Sequence, residues 1–129
     1  MPIDPEDMLA DWEQRVEQQA ALTTELSQAM EQSSASAESR GGEVVVQVGS
    51  SGGLTDLRIA DRAMTLPAAE LAALIVETSQ RAQALLAEQV NELVGQLYGP
   101  SSETASFIGG AYSRQFPEPA DEREERERR

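Results

Sequence analysis

The sequence predicts an α+β protomer in which a three-stranded antiparallel meander lies between two long helices, in the order α-β-β-β-α. Three observations predict it: an apolar 3-4 spacing near the N-terminus, alternating valines after Gly41-Gly42, and a longer apolar stripe that begins after Pro67. At 129 residues the chain forms one domain at most. We expect this domain to span residues 1–98 and residues 99–129 to be a disordered tail.

The first helix is predicted from Asp4 to about Ser33. Asp4 can cap it, Pro5 suits the first helical position, and two acidic residues follow at the positive end of the helix dipole. Its stripe consists of Leu9, Trp12, Val16, Gln19, Thr23, Leu26 and Met30. This spacing suits either packing on the protein's own sheet or a coiled-coil contact with a second chain, and the residues leave both open.

The strands surround two glycine-containing turns. Gly41-Gly42 supplies the positive φ angles of a tight turn, and the segments 43–48 and 54–59 alternate as strands. Matching their apolar faces predicts three facing pairs, which are Val44 with Ile59, Val46 with Leu57, and Val48 with Thr55. Ala35 and Ala37 then belong to a first strand with the same apolar face. The predicted core and dimer residues are Trp12, Val44, Val46, Val48, Leu57 and Ile59.

The second helix is predicted from Pro67 to about Tyr98, where Gly99-Pro100 ends it. The following segment is rich in Ser, Gly and Pro and closes with the charged run DEREERERR. Such a composition predicts disorder, in which Phe107, Ile108, Tyr112 and Phe116 could dock transiently.

Three short strands with two helices longer than the sheet leave apolar surface and two sheet edges uncovered. Two chains joined through the sheet region would cover both. The packing therefore predicts a homodimer.

Composition limits the chemistry. The chain has no His, Cys or Lys and a formal net charge of −13. Without those side chains, nucleophilic and metal-based catalysis lose most of their usual groups, so we expect no catalytic residue, no metal and no cofactor. No apolar run reaches the roughly 18 residues of a membrane span, and the acidic N-terminus is unlike a secretory signal. We expect a cytoplasmic protein without membrane contact.

The segment SRGGEVVVQVGSSGGLTDLRIADRAMTLPAAELAALIVETSQRAQ and the helix before it resemble the YbaB/EbfC family, particularly its actinobacterial members. The likeness runs from about Met8 to Val94 and lies in turns and apolar spacing. The resemblance implies a tweezer-like homodimer of α-β-β-β-α protomers that acts as a nucleoid-associated DNA-binding protein. Some mycobacterial relatives are instead associated with type VII secretion.

Two functions follow from these observations. The first is weak, salt-sensitive DNA binding by a homodimer, for which Arg15 and Arg81 on the two helices are the candidate contacts. For both arginines the alternative is an ion pair with a nearby Glu, such as Glu77 for Arg81. The second function is an acidic dimeric interaction or scaffold module, with a protein partner held by the helices or the tail. The first helix favours it, since Arg15 is its one cation among eight carboxylates between Asp4 and Glu31.

Overall fold

The computed structural model describes residues 4–119, together with Glu124 and Glu127. In chain order the elements are α1 (Pro5–Glu31), β1 (Ala35–Glu38), β2 (Val44–Val48), β3 (Leu54–Ile59), a 3₁₀ helix (Asp61–Thr65), α2 (Ala68–Tyr98) and α3 (Glu103–Gln115). The predicted α+β class and the α-β-β-β-α order are confirmed, with α3 as an addition.

The sheet is an antiparallel meander of strand order β1-β2-β3. The predicted pairs Val44–Ile59 and Val46–Leu57 are confirmed, but the third is wrong because Val48 lies opposite Leu54. The register shifts after Gln47, so that Thr55 is an extra residue in β3, as in a β-bulge. The Thr55 hydroxyl donates to the Gln47 carbonyl at 3.3 Å across this irregularity.

The core lies between α2 and the first two strands. One cluster joins Ala35, Ala37, Val46 and Val48 of β1 and β2 to Ala82, Leu86 and Ala87 of α2, with Phe116. The three alternating valines of β2 are fully buried. On α2 the buried face runs through Leu86, Val90 and Val94, whereas the neighbouring Leu85 is 41% exposed.

Strand β3 differs from the expectation of a dry face. All six of its residues are exposed, and Leu57 and Ile59 each retain 38% of their accessible surface. The reason is geometric, because α2 packs on β1 and β2 and one helix about 10 Å wide cannot also cover a third strand. Leu57 and Ile59 are therefore not core residues of the protomer.

Within the described part of the chain, α1 packs only through its C-terminal half. Leu26 is buried in a cluster with Val90 and Val94, and the Thr23 and Tyr98 hydroxyls lie 3.3 Å apart. These contacts make α1 antiparallel to α2. Residues 4–21 are all exposed, so the N-terminal part of the apolar stripe does not pack on the sheet of its own chain. Trp12, which was expected in the core, is 60% exposed.

Helix α3 corrects the prediction of a disordered tail for residues 103–115. The Ser102 hydroxyl accepts from the Ala105 N–H at 3.0 Å and caps the helix. Helix α3 then runs back along α2, with Ala105 and Phe116 buried and Gly109 against Asn91. The composition of this segment predicts disorder because composition contains no information about tertiary contacts, here the packing of α3 on the apolar surface of α2. The charged run at residues 121–129 lies, apart from Glu124 and Glu127, outside the described residues.

Candidate functional site

Cationic side chains gather around the turn between β1 and β2. Arg40 lies in this turn, Arg62 reaches it from the 3₁₀ helix, and Arg81 reaches it from α2. Arg58 follows on β3, where it pairs with Asp56 at 3.2 Å. We call Arg40, Arg62 and Arg81 the turn arginines. Three separate elements thus bring guanidinium groups to one end of the sheet.

The turn is built by main-chain hydrogen bonds and one glycine. The Ser39 N–H donates to the Val44 carbonyl and the Gly42 N–H donates to the Ser39 carbonyl, both at 2.9 Å. Gly42 has a φ of 75°, a left-handed conformation that glycine adopts without strain. The predicted Gly-Gly turn therefore holds Arg40 at the tip of the hairpin.

Ser39 and Glu43 close the base of this turn. The Ser39 hydroxyl donates to Glu43 Oε2 at 2.6 Å and also accepts from the Val44 N–H at 3.1 Å. The pKa of the Glu43 carboxyl is lowered from 4.5, first by the Ser39 hydroxyl, then by a backbone hydrogen bond, and also by the positive charge of Arg62. Glu43 is therefore held as a carboxylate beside the turn arginines.

Two turn arginines are anchored by main-chain carbonyls. Arg81 Nη2 donates to the Glu38 carbonyl at 2.6 Å, and Arg62 Nη2 donates to the Gly41 carbonyl. A guanidinium carries five N–H donors in a planar fork, the geometry that suits a phosphate oxygen. The anchors orient both side chains at the hairpin tip.

A shallow depression of about 240 Å³ lies between the turn and α2. Its lining includes Arg40 and Arg81 with the carboxylates of Glu43 and Glu77. Because both signs of charge line it, any attraction for an anion here is modest. Among the described residues, no group of three or more acidic side chains could hold a metal ion.

The two predicted DNA contacts lie far apart. Arg15 is on the exposed half of α1, eight positions before Thr23, whereas Arg81 is 17 positions before Tyr98 on the antiparallel α2. At 1.5 Å per residue they are separated by about 40 Å. The structure therefore does not bring Arg15 and Arg81 together, and Arg81 lies beside the sheet rather than on a projecting helix.

The sequence alone does not single out Arg40 or Arg62 as contacts. Arg40 directly precedes the Gly-Gly turn, so its position at the hairpin tip could have been inferred from the sequence. Arg62 gives no comparable signal. Its approach to Gly41 depends on the 3₁₀ helix, in a segment that the sequence presents only as a connector.

Two other surfaces are candidates for binding. The first is an open groove of about 640 Å³ between α2 and α3, bordered by Asn91, Gln96 and Ser106. The second is β3, an edge strand whose apolar side chains Leu54, Leu57 and Ile59 are exposed. No helix within the described residues is both long and apolar enough to cross a membrane.

The chain matches the model of a known protein family. The family model described as the YbaB/EbfC DNA-binding family matches residues 3–101, which include α1, the sheet and α2 but not α3. No curated protein and no solved structure matches the chain.

Proposed function

The chain belongs to the YbaB/EbfC DNA-binding family, a family of nucleoid-associated proteins, and from this membership we propose that it acts as a non-enzymatic homodimer that binds DNA. The family match covers the whole α-β-β-β-α unit. In this proposal the protein works in the cytoplasm on the nucleoid.

The observation that carries the proposed contact surface is the grouping of the turn arginines. Arg40 lies in the turn itself, Arg62 reaches it from the 3₁₀ helix, and Arg81 reaches the adjoining end of β1 from α2. Lys and Arg side chains supply non-specific DNA affinity by displacing counterions from phosphates. Arg15 is a weaker candidate because its helix segment also carries Asp11, Glu13 and Glu17.

The charge balance sets the strength of the proposed binding. The whole chain carries −13, and Glu38, Glu43 and Glu77 lie among the turn arginines. Long-range repulsion of the phosphate backbone therefore opposes the local contacts. We expect weak binding that is lost steeply with salt, with a log–log slope of about −0.9 for each phosphate contact.

The proposed dimer interface is the uncovered face of β3. Leu57 and Ile59 lie opposite the buried Val46 and Val44, so they share the face of the sheet on which α2 packs. Helix α2 leaves them exposed, and β3 also presents a free strand edge. A second protomer at this position would cover the apolar face and the edge together.

DNA binding is tested by titrating labelled duplex DNA with the purified protein at several salt concentrations. The informative variants are Arg40→Gln, Arg15→Gln and Arg114→Gln, because each removes one positive charge from an exposed residue. We expect Arg40→Gln to weaken binding and to reduce the salt slope by about 0.9 per lost contact, and Arg15→Gln to have a smaller effect. Arg114→Gln, on α3, is the charge-matched control and should leave the slope unchanged.

The absence of any complex at about 50 mM salt, where phosphate contacts are strong, would refute DNA binding. Equal losses in all three variants would refute the turn arginines as the site.

The dimer is tested by size-exclusion chromatography with light scattering. We expect Leu57→Glu to shift the protein toward monomer, because it places a charge on the apolar face of β3. Arg58→Gln makes the same change in net charge on the other face of the same strand, and it should remain dimeric. A wild-type protein that is monomeric at micromolar concentration would exclude the dimer.

A further inference from the structure

The exposed half of α1 carries an apolar stripe that no other described part of the chain covers. Met8, Leu9, Trp12 and Val16 lie on one side of the helix, and their side chains are 46–60% exposed. Residues 5–21 extend about 25 Å at 1.5 Å per residue. We call this segment the arm. Four large apolar side chains on one exposed helical face indicate a partner surface.

Carboxylates border the stripe on both sides. At 3.6 residues per turn, Glu6, Glu13 and Glu17 follow one edge, while Asp4, Asp7 and Asp11 follow the other. Arg15 is the only cation between residues 4 and 21. The arm thus combines an apolar seam with two acidic margins, which is the pattern by which coiled-coil helices select a partner of opposite charge.

A second copy of the arm is a poor occupant. Pairing two arms, parallel or antiparallel, would bring acidic margins of equal sign together, and each arm with its cap holds six carboxylates against one arginine. The arm also lies beyond the end of α2, away from the β3 face through which we propose the dimer forms. The sheet of the same chain does not reach it.

We propose that the arm is a docking surface for a basic amphipathic helix of another protein. Apolar side chains of the partner would cover Leu9, Trp12 and Val16, and its Lys or Arg side chains would meet the acidic margins. This binding mode is the helix-to-helix contact by i, i+3 and i+7 anchors. It uses a surface different from the turn arginines, so it stands independently of DNA binding.

The arm contains its own reporter, because Trp12 is the only tryptophan of the chain. The probe is a synthetic peptide of about three heptads with Leu in the seam and Arg at the flanking positions. A second peptide carries Glu in place of Arg. We expect the Arg peptide to shift the Trp12 emission to shorter wavelength, with an affinity that falls at high salt, and the Glu peptide to have no effect.

A matched pair of variants separates docking from general charge attraction. Leu9→Gln with Val16→Gln removes two apolar side chains from the stripe, while Ala10→Gln with Ala21→Gln changes the opposite, also exposed face. We expect the first pair to weaken peptide binding by about tenfold or more and the second to leave it unchanged. DNA titration of the stripe variant should match that of the wild type.

Three results would overturn the proposal. One is an unchanged Trp12 emission with the Arg peptide at saturating concentration, and another is equal weakening by the two variant pairs. The third is a wild-type oligomer that becomes monomeric on Leu9→Gln with Val16→Gln, which would assign the stripe to a second copy of this chain.

Discussion

Arg81 Nη2 donates a hydrogen bond of 2.6 Å to the main-chain carbonyl of Glu38. The contact joins α2 to the last residue of β1, 43 positions away along the chain. Arg81 therefore has a structural role in addition to the proposed phosphate contact. If replacing Arg81 abolishes DNA binding, the result can be interpreted only when the stability of the variant has also been measured.

We predict that Arg81→Gln lowers the free energy of unfolding by about 1–2 kcal/mol, because a hydrogen bond from a charged donor across the helix–sheet contact is lost. Urea denaturation followed by circular dichroism measures the change. Arg114→Gln provides the comparison, since this exposed substitution should stay within about 0.5 kcal/mol of the wild type. Indistinguishable midpoints for the two variants would show that the Glu38 contact adds nothing to stability.

Glu43 should make stability depend on pH. Its folded-state pKa is lowered from 4.5, chiefly by the Ser39 hydroxyl. A carboxyl with a lowered folded pKa adds stability that is fully present above the unfolded pKa and is lost as the pH falls through the folded pKa. We predict that Glu43→Gln is less stable than the wild type at pH 7, and that the difference shrinks as the pH falls below about 4.5.

Denaturation of both proteins from pH 7 to pH 3 measures this difference. Glu31→Gln, an exposed change of equal charge at the end of α1, corrects for the general effect of removing one negative charge. A gap between wild type and Glu43→Gln that stays constant over the whole range would contradict the prediction.

The parts of the fold that were predictable from sequence are those governed by local periodicity. Alternating valines define β2, and matching apolar faces gave the pairs of Val44 and Val46 with residues of β3. The shift at Val48 escaped this reasoning because a bulge inserts one residue without changing the composition of either strand. The alternation of apolar residues predicts which side of β3 is apolar. It does not predict that α2 covers only β1 and β2 and leaves that side of β3 exposed.

The candidate site was less predictable because it depends on contacts between distant elements. The sequence predicts that Arg81 lies on a helix, but the orientation of its side chain depends on a carbonyl of β1. Helix α3 was missed for a related reason. Gly109 and Gly110 lower helix propensity, but Gly109 faces Asn91, whose side-chain amide fills the space that a Cβ at position 109 would take. Helix propensity includes the unfavourable effect of these two glycines on helix formation, but it does not include the packing of α3 on α2.

The two phenylalanines offer a direct test of whether α3 is docked. Phe116 is 9% exposed in the core cluster, while Phe107 on the same segment is 73% exposed. We predict that Phe116→Ala lowers the free energy of unfolding by about 3 kcal/mol, the lower end for a buried aromatic ring, and that Phe107→Ala changes it by less than about 0.5 kcal/mol. Equal effects of the two substitutions, measured by urea denaturation, would mean that α3 does not dock.

The contact between Phe116 and Gly52 can be isolated by combining substitutions. Gly52 has a φ of 85°, and a Cβ added there would meet the Phe116 ring. Gly52→Ala should therefore lower the free energy of unfolding for two reasons. The left-handed backbone contributes about 1 kcal/mol, and the clash with the ring contributes a further 1–3 kcal/mol. In the Phe116→Ala background the ring is absent, so only the backbone part of the destabilisation should remain.

We predict a coupling free energy of at least about 1 kcal/mol between positions 52 and 116 in a double-mutant cycle. Gly99→Ala reports the effect of a positive φ without any clash, since Gly99 has a φ of 91° with nothing within 4 Å of an added Cβ. Strictly additive effects of Gly52→Ala and Phe116→Ala would show that the Phe116 ring does not contact Gly52. The segment after α3 would then not pack on the loop between β2 and β3.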